Sequence, residues 1–516
     1  MKKGKSVIHP PGERDSSEIP TASEPCAVDT FGGKVQVEWE PGAAMTPIGQ
    51  LPFFIQFLKV GNLFEPWVNQ CPLTYQSNNA PSKINVLGSF LLSVLSGHHR
   101  YAHMTSLFND TVNTQLLGMS KVVSDDSARR ALKKMEESEG VEWLQKHLQI
   151  CYEPLLTQPW ILDVDVTVKP LFGHQEGAVK GYNPHKPGRP SHTYHTYMVA
   201  NLRLVLDVEV QSGERMSSTY SAPGLWELLD RLPVSCQPHF IRGDCDWGVD
   251  DIMRNAEERN LHYLFKLKKS KNVKEFINKH HCLGDWVYTI GGWEAKECFL
   301  KLTTWAEQRR VVILRRRLPK EAVLALEGQS PQQKTLGILE DVEDIRAYEY
   351  AVLVTSLEDE VVSIACHYRD RADCENNFDE IKNHWGWGGF TTQDIKPCRF
   401  IARIIALVYN WWNIFVRLAE PDKHLEAITS RPLLLSSVGQ LTEHGRQKTI
   451  TITHAHGRAD SVEKIYRRIQ QFFVGLKAIA PQLSLGEAWC RILSEAMKKY
   501  LGGLILKPPR LDAIPS

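Results

Sequence analysis

The chain has 516 residues, of which 42% are hydrophobic and 23% are charged, and its formal net charge is +1. This length predicts about three domains, and the composition is ordinary for a folded protein. The near-neutral total excludes a protein that binds polyanions through its overall charge, so any contact with DNA must come from local basic patches.

The cysteines and the apolar segments indicate where the protein works. The 11 cysteines form no C-x-x-C pair, so we expect neither a disulfide framework nor a structural zinc site, and we predict a cytoplasmic protein. The basic N-terminus is followed by no apolar segment, which argues against a signal peptide. The apolar run from Phe400 to Leu418 carries Arg403, Asn410 and Asn413, so we predict a buried helix and no contact with a membrane.

The N-terminal part is predicted to contain two regions. Residues 1–45 are rich in Pro, Ser, Gly and charge, which is typical of a disordered leader. Residues 46–150 show helical periodicity and are predicted to be a helical DNA-binding domain. Within it, Ser124 or the aspartate after it is predicted to cap a helix that carries Arg129 and Arg130. That helix is either the second helix of a helix-turn-helix, with its cations facing phosphate, or a surface helix with solvated charges.

A first acidic motif lies on a predicted strand in WILDVDVTVKPLFG, residues 160–173. Alternate residues of a strand face the same side, so Asp163 and Asp165 are predicted to face one side together. Carboxylates on a buried strand are costly unless a cation neutralises them, so the pair predicts a metal site. The loop that follows carries Lys186 and Arg189 among Gly and Pro, and it is either a phosphate contact or a solvated turn.

A second acidic motif occurs in HFIRGDCDWGVDD. Asp244 lies at the carboxyl end of a predicted strand, where open α/β sheets usually place their chemistry. Asp246 is the alternative, and either acid could instead cap the helix that follows. Residues from about 286 to 318 and from 348 to 357 show strand patterns, which places a strand-rich segment between this motif and the next one.

The third motif is predicted to be a helix within residues 363–390, ended by WGWGGF. At helical pitch, Tyr368, Arg371, Glu375 and Lys382 fall on one face. A solvated charged face is the structural alternative. The spacing Y-x-x-R-x-x-x-E-x-x-x-x-x-x-K resembles the YREK signature of bacterial insertion-sequence transposases of the DDE type.

LDVDVTV and IRGDCDWG, taken with this helix, resemble the three acidic motifs of DDE transposases over residues 160–412. The first acid of that family commonly begins a D-x-T pattern, which matches the chain at Asp165 and leaves Asp163 as the alternative. The second acid corresponds to Asp244 and the third to Glu375.

The resemblance implies an α/β fold with a ribonuclease-H-like mixed-sheet core, interrupted by a β-rich insertion and flanked by helical N-terminal and C-terminal regions. The implied core comprises residues 151–268 and 357–420. The implied insertion comprises residues 269–356, and the helical C-terminal region comprises residues 421–516.

The resemblance also implies a reaction. The protein would cleave phosphodiester bonds at transposon ends and transfer the 3′ ends to target DNA, with Asp165, Asp244 and Glu375 holding two Mg²⁺ ions for which Mn²⁺ can substitute. Arg371 and Lys382 would hold flanking phosphates, and Tyr368 would contact the cleaved end. The implied partners are double-stranded DNA, as terminal inverted repeats and target, and a second copy of the chain in a synaptic homodimer.

Two other functions are compatible with these residues. One is a ribonuclease-H-like, metal-dependent nuclease that cuts without joining strands. The other is a DNA-binding repressor with a decayed active site, although intact acids in all three motifs argue against it.

Overall fold

The computed structural model describes residues 25–38, 43–77, 79–183, 186–319, 345–453 and 458–508. Residues 1–24 of the predicted leader lie outside this part of the chain. The rest of the leader includes the strands Cys26–Thr30 (β1) and Gly33–Val37 (β2), which pair in an antiparallel hairpin with all side chains exposed. The hairpin differs from the predicted disorder because its arms hold β-branched residues and Gly33 adopts a φ of 110° at the turn.

The described residues from 43 to 152 are mainly helical, in agreement with the sequence. The α-helices are Leu51–Val60 (α1), Phe64–Asn69 (α2), Lys83–Leu95 (α3), Thr111–Leu116 (α4), Asp125–Lys134 (α5) and Glu137–Tyr152 (α6). A short strand, Met45–Thr46 (β3), precedes them. The predicted cap of α5 is confirmed, because the Ser124 side chain accepts a hydrogen bond from the backbone N–H of Ser127.

A large mixed sheet forms the centre of the molecule. Its strands are Ile161–Pro170 (β4), Val179–Lys180 (β5), Pro190–Val199 (β6), Leu204–Ser212 (β7), Phe240–Gly243 (β8), His262–Lys266 (β9), Val287–Tyr288 (β10), Trp293–Leu300 (β11), Arg309–Arg317 (β12) and Tyr348–Thr355 (β13). The order across the sheet is β10-β11-β12-β13-β9-β8-β4-β6-β5, and β7 also pairs with β6. The helices Ser218–Asp230 (α7), Asp250–Glu258 (α8) and Lys271–His281 (α9) lie between strands in the sequence. The predicted mixed α/β architecture is therefore present.

The strands of the predicted insertion continue this sheet. Strand β13 pairs antiparallel with β9, with Leu353 opposite Lys266. Without β13, the edge of β9 would leave a row of backbone N–H and C=O groups unpaired, which explains why the strand-rich segment joins the sheet. Residues 320–344 of this segment lie outside the described part of the chain.

Three helices follow the sheet in the sequence: Val361–Arg369 (α10), Ala372–His384 (α11) and Ile395–Ala419 (α12). The predicted buried helix at 400–418 is confirmed, because α12 is buried over almost its whole length. It packs on β7 and on several N-terminal helices, including α6. No helix in the described part of the chain is long and apolar enough to cross a membrane.

Two buried polar side chains of α12 bond directly to β7. The Arg403 guanidinium donates to the Asp207 carboxylate at 2.7 Å. The Asn410 amide accepts from the N–H of Val205 at 2.9 Å and donates to its C=O at 2.8 Å. Polar groups of this kind cost little in a core when their hydrogen bonds are complete, so they fix the position of α12 on the sheet.

The C-terminal region contains a hairpin as well as the predicted helices. Its elements are the helix Ala427–Leu434 (α13), the strands Gly439–His444 (β14) and Gln447–Ile452 (β15), and the helices Ala459–Ile479 (α14) and Leu485–Ala496 (α15). Strand β14 also pairs with β3, so the start and the end of the chain share a three-stranded sheet. On α14, the Tyr466 ring stacks on Phe53 of α1 with centroids 3.8 Å apart, which shows that α14 packs on its own chain.

We expect Asn410→Ala to lower the free energy of unfolding by about 2–4 kcal/mol, because both backbone groups of Val205 would lose a buried partner. Urea denaturation measures the change. Asn383→Ala is the control, since this exposed amide bonds only to Asp379 on its own helix, and we expect a change within about 0.5 kcal/mol. Equal losses in the two variants would contradict the anchoring role of Asn410.

Candidate active site

The register of β4 and β8 brings the first two acidic motifs together. These strands are parallel, with Asp163 opposite Arg242 and Val164 opposite Gly243. Asp165 and Asp244 therefore occupy the next positions on neighbouring strands, which lie about 4.8 Å apart in a sheet. Asp244 also accepts a hydrogen bond from the N–H of Asp246 at 3.0 Å, so it closes the turn after β8.

The two aspartates of β4 have different surroundings, although they face the same side of the strand. Asp163 is 2% exposed and receives two hydrogen bonds from Arg242, at 2.6 and 2.8 Å. Arg242 is fully buried and also donates to the C=O of His367 on α10. Asp163 is thus neutralised by a side chain of the neighbouring strand, and this ion pair joins β4, β8 and α10.

The third motif forms two helices, not the single one that the sequence predicted. Tyr368 lies on α10, and Arg371 is the N-cap residue of α11, which carries Glu375 and Lys382. The N–H of Arg371 bonds to the C=O of Tyr368, an i→i+3 bond that tightens the chain between the helices. Helix α11 ends at His384, before the WGWGGF segment, as predicted.

The Arg371 guanidinium joins the first and third motifs. It donates to Asp165 Oδ2 at 2.6 Å and to Glu375 Oε1 at 2.9 Å. Its side chain is 8% exposed, whereas that of Glu375 is 67% exposed. The sequence predicted a phosphate contact for Arg371, but here it bridges two of the three predicted catalytic acids.

The pKa of Asp165 responds to both of the other acids. Burial raises the pKa of Asp165 from 3.8 to about 6; Arg371 opposes this, and the nearby charges of Asp244 and Glu375 add to it. Burial lowers the pKa of Lys382, which Asp379 and Asp165 partly restore. Asp165 therefore interacts electrostatically with both other acids and with the two basic residues.

Tyr368 and Arg371 belong to the same electrostatic cluster. Burial raises the pKa of Tyr368; Arg371 opposes the rise, and Asp244 and Glu375 reinforce it. Burial alone would lower the pKa of Arg371, but Asp165 and Asp244 hold it above its usual value. The structure thus brings together six of the predicted site residues, namely Asp165, Asp244, Glu375, Tyr368, Arg371 and Lys382.

The chemistry of the three acids suits a hard divalent cation. Their carboxylate oxygens are the ligands that Mg²⁺ prefers. The pKa of Asp165 is raised first by burial and then by the negative charges of Asp244 and Glu375, and a bound cation would offset those charges. In the described part of the chain, no group of three or more His, Cys, Asp or Glu side chains is already arranged to hold a metal ion. Arg371 supplies the positive charge between Asp165 and Glu375 in this arrangement.

The other predicted DNA-binding residues have partners outside this cluster. On α5, Arg129 pairs with Asp125 and Arg130 pairs with Asp126, each four residues apart. These pairs favour the surface-helix interpretation of α5, because its own acids offset its cations. The acids of the second motif do not cap α8, whose N-cap residue is Val249 and has no side-chain cap.

Lys186 and Arg189 both lie against the ring of Phe172, a residue that the sequence analysis missed. The Lys186 Nζ is 4.9 Å from the ring centroid and the Arg189 guanidinium carbon is 4.8 Å from it. These residues lie in the segment that connects β4 and β6. The sequence feature that could have identified Phe172 is its position two residues after the strand that carries Asp165.

Two further residues position the site and were also missed. Arg242 is the counter-ion of Asp163, and its place directly before the G-D-C-D segment could have suggested this role. Lys169 is buried on β4 and donates to the C=O of Gly389 in the segment after α11 and to the Tyr194 hydroxyl. Lys169 thus holds the end of α11 against β4, but nothing in the local sequence marks it.

Comparison with known proteins gives one family match. The family described as Transposase DDE domain group 1 matches residues 80–473. No curated protein matches the chain. Among solved structures, a cryo-EM structure of a piggyBac transposase synaptic complex with hairpin DNA is similar at 10% identity, covers 91% of this chain and 87% of that chain, and has a TM-score of 0.37, which is too low to establish a shared fold.

We expect opposite effects on stability from Asp163→Asn and Asp165→Asn. Asp163→Asn leaves Arg242 buried without its counter-charge, so the free energy of unfolding should fall by about 3–5 kcal/mol. The pKa of Asp165 is higher in the folded state than its ordinary value of 3.8, so the wild-type protein loses stability as the pH rises from 3.8 to about 6. Asp165→Asn removes that loss.

Urea denaturation at pH 4.5 and pH 7.5 measures both effects. Above pH 6, Asp165→Asn should be at least as stable as the wild type. If Asp165→Asn proves the more destabilising of the two substitutions at pH 7.5, then the assignment of Asp163 as the structural acid is wrong.

Proposed function

This chain belongs to the Transposase DDE domain group 1 family, and on that premise we propose that it cleaves DNA at transposon ends and transfers the freed 3′ ends to target DNA. We propose further that it belongs to the YREK group of bacterial insertion-sequence transposases and has a ribonuclease-H-like core. The observation that supports the reaction best is the convergence of Asp244, Glu375 and Arg371 on Asp165. Family membership makes the protein a transposase, and this cluster is where we place its chemistry.

Asp165, Asp244 and Glu375 would hold the divalent cations, with Mg²⁺ as the natural ion and Mn²⁺ as a substitute. When bound, such ions supply positive charge to the attacking and leaving oxygens of the phosphodiester. Asp165 and Asp244 come from adjacent strands and Glu375 from α11, so the sheet and the helix would each contribute ligands. We propose Asp165 and not Asp163 for this set, because Asp163 already has a buried counter-ion in Arg242.

Arg371 keeps Asp165 and Glu375 close together despite their like charges. Its contact with Asp165 is buried, whereas its contact with Glu375 faces solvent, because the Glu375 side chain is 67% exposed. We propose that the contact with Glu375 is the one that opens when DNA and cations enter. The freed arm of the guanidinium can then hold a DNA phosphate while the other arm stays on Asp165.

Tyr368 and Lys382 would contact the DNA on either side of the acids. The raised pKa of Tyr368 keeps its hydroxyl protonated at neutral pH, so it can donate a hydrogen bond to the cleaved strand. Lys382 is half-buried near Asp165 and would act as a point charge for a flanking phosphate.

We also propose a synaptic homodimer and a cytoplasmic location. Large apolar side chains in the C-terminal region are exposed, among them Val474 at 64% and Leu485 at 69%, and such residues commonly mark a protein interface. None of the 11 cysteines, all of which lie in the described part of the chain, forms a disulfide, which suits a reducing compartment.

We expect Asp165→Asn, Asp244→Asn and Glu375→Gln each to reduce cleavage of labelled transposon-end DNA in Mg²⁺ by more than about a hundredfold. Each variant should bind the same DNA nearly as well as the wild type in EDTA, because these acids do not contribute positive charge to the interface. Asp379→Asn is the control, since this carboxylate is exposed on α11 and bonds only to Asn383.

The same assay separates the proposed function from its alternatives. Products that join the labelled 3′ end to target DNA are expected from the wild type. Cleavage without joining would instead indicate a nuclease. Binding without cleavage in either Mg²⁺ or Mn²⁺ would indicate a repressor with an inactive site.

We expect Lys382→Ala to weaken binding to transposon-end DNA and to reduce the slope of log affinity against log salt by about 0.9, the value for one phosphate contact on a duplex. Fluorescence anisotropy over a salt series measures the slope. Lys477→Ala, an exposed lysine of α14, is the control and should leave the slope unchanged. An unchanged slope for Lys382→Ala would remove this residue from the phosphate contacts.

A further inference from the structure

Phe172 is an exposed aromatic residue that the proposed chemistry does not use. Its side chain is 70% exposed, and it directly follows the β4–β6 ladder. Lys186 and Arg189 approach its ring at 4.9 and 4.8 Å. An exposed aromatic ring with two cations beside it has no evident role in the packing of this chain, so a ligand is the more natural explanation.

Backbone hydrogen bonds hold this group in place. The N–H of Leu171 donates to the C=O of Pro190 at 2.8 Å, which places Phe172 and Arg189 opposite each other. The N–H of Arg189 donates to the C=O of Lys186 at 3.1 Å and closes the turn. The segment between β4 and β6 is also bonded to the start of α12, where the N–H of Ile395 donates to Glu176 Oε2 at 3.0 Å. The ring and its cations are therefore preorganised.

The two cations also remain available for a ligand. Within the described residues, no carboxylate lies within ion-pair distance of Lys186 or Arg189. Arg315 and Arg316 also lie over tryptophan rings, but each of them has an acidic partner. Arg315 pairs with Glu294, and Arg316 pairs with Glu349. At Phe172 the positive charge is not offset by acids of the chain.

We propose that Phe172, Lys186 and Arg189 form a platform that stacks an unpaired DNA base on the aromatic ring and holds the adjoining phosphates with the two cations. This inference rests on the proposed function, since it assumes DNA as the ligand. Paired bases have their faces covered by their neighbours, so an exposed ring can stack only on a base that has left the duplex. Unneutralised cations beside the ring favour a strand with phosphates over an apolar protein surface.

The platform lies away from the three acids on the same strand. Phe172 follows Asp165 by seven residues, which corresponds to roughly 23 Å along an extended chain. That length matches about seven nucleotides of a B-form strand. The platform therefore receives DNA that flanks the cleaved bond, and not the bond itself.

The test uses the full-length protein in EDTA, so that no cleavage occurs, with a short single-stranded oligonucleotide containing 2-aminopurine and the matching duplex. We expect the wild type to quench the fluorescence of the single strand through stacking. Phe172→Ala should weaken binding of the single strand roughly fivefold to a hundredfold, as expected for the loss of one stacked base, and should leave duplex binding nearly unchanged.

Two more variants identify the interaction. Phe172→Leu keeps an apolar side chain without a flat ring and should lose the quenching, whereas Phe172→Trp should retain it. Tyr182→Ala is the matched control. Tyr182 is 67% exposed in the same β4–β6 segment, and no cation of the described residues lies over its ring. We expect each substitution to leave the melting temperature unchanged, because the side chains of Phe172 and Tyr182 are both exposed.

The proposal is overturned if Phe172→Ala leaves single-strand affinity unchanged, if it weakens duplex binding equally, or if Tyr182→Ala has the same effect. A change in self-association without a change in DNA affinity would also overturn it and would indicate a protein interface. Because the measurement needs no catalysis, it is independent of the cleavage assay. If the protein quenches the single strand but does not cleave transposon-end DNA, the proposed reaction is wrong and the platform proposal stands.

Discussion

The candidate site depends on one interaction, the bridge that Arg371 makes between Asp165 and Glu375. Glu375 is far from Asp165 in the chain, and their like charges would separate them without a cation. Arg371 is the N-cap residue of α11 and is largely buried, so its guanidinium ties the helix to β4. Within the described residues this guanidinium, and not a preformed group of metal ligands, holds the two acids near each other.

A second ion pair on the same strand shows why neighbouring acids can serve different ends. Asp163 and Arg242 are both shielded from solvent, and their two hydrogen bonds engage both oxygens of the Asp163 carboxylate. Asp165 keeps some contact with solvent and shares its counter-ion with Glu375. Removing one partner of the first pair would destabilise the fold, whereas the second pair can open without disrupting the core.

The long helix α12 and the turn after α11 hold this arrangement against the rest of the chain. Arg403 and Asn410 anchor α12 to β7. In the turn, Gly389 approaches the C=O of His99 so closely that no side chain would fit there, and the N–H of Phe390 donates to the same carbonyl at 2.7 Å. The loop after α3 therefore touches the segment that follows the Glu375 helix.

The sequence by itself determined the acidic motifs, the mixed α/β class and the buried helix at 400–418, because side-chain periodicity and residue spacing are local properties. Only the tertiary structure decided what each charge contacts. It gave Asp163 its own counter-ion in Arg242, placed Arg371 as a bridge between two acids, and divided the third motif into two helices. It also joined the predicted insertion to the core sheet. These outcomes depend on which strands become neighbours, and strand neighbours are chosen by contacts between distant segments that no local pattern records.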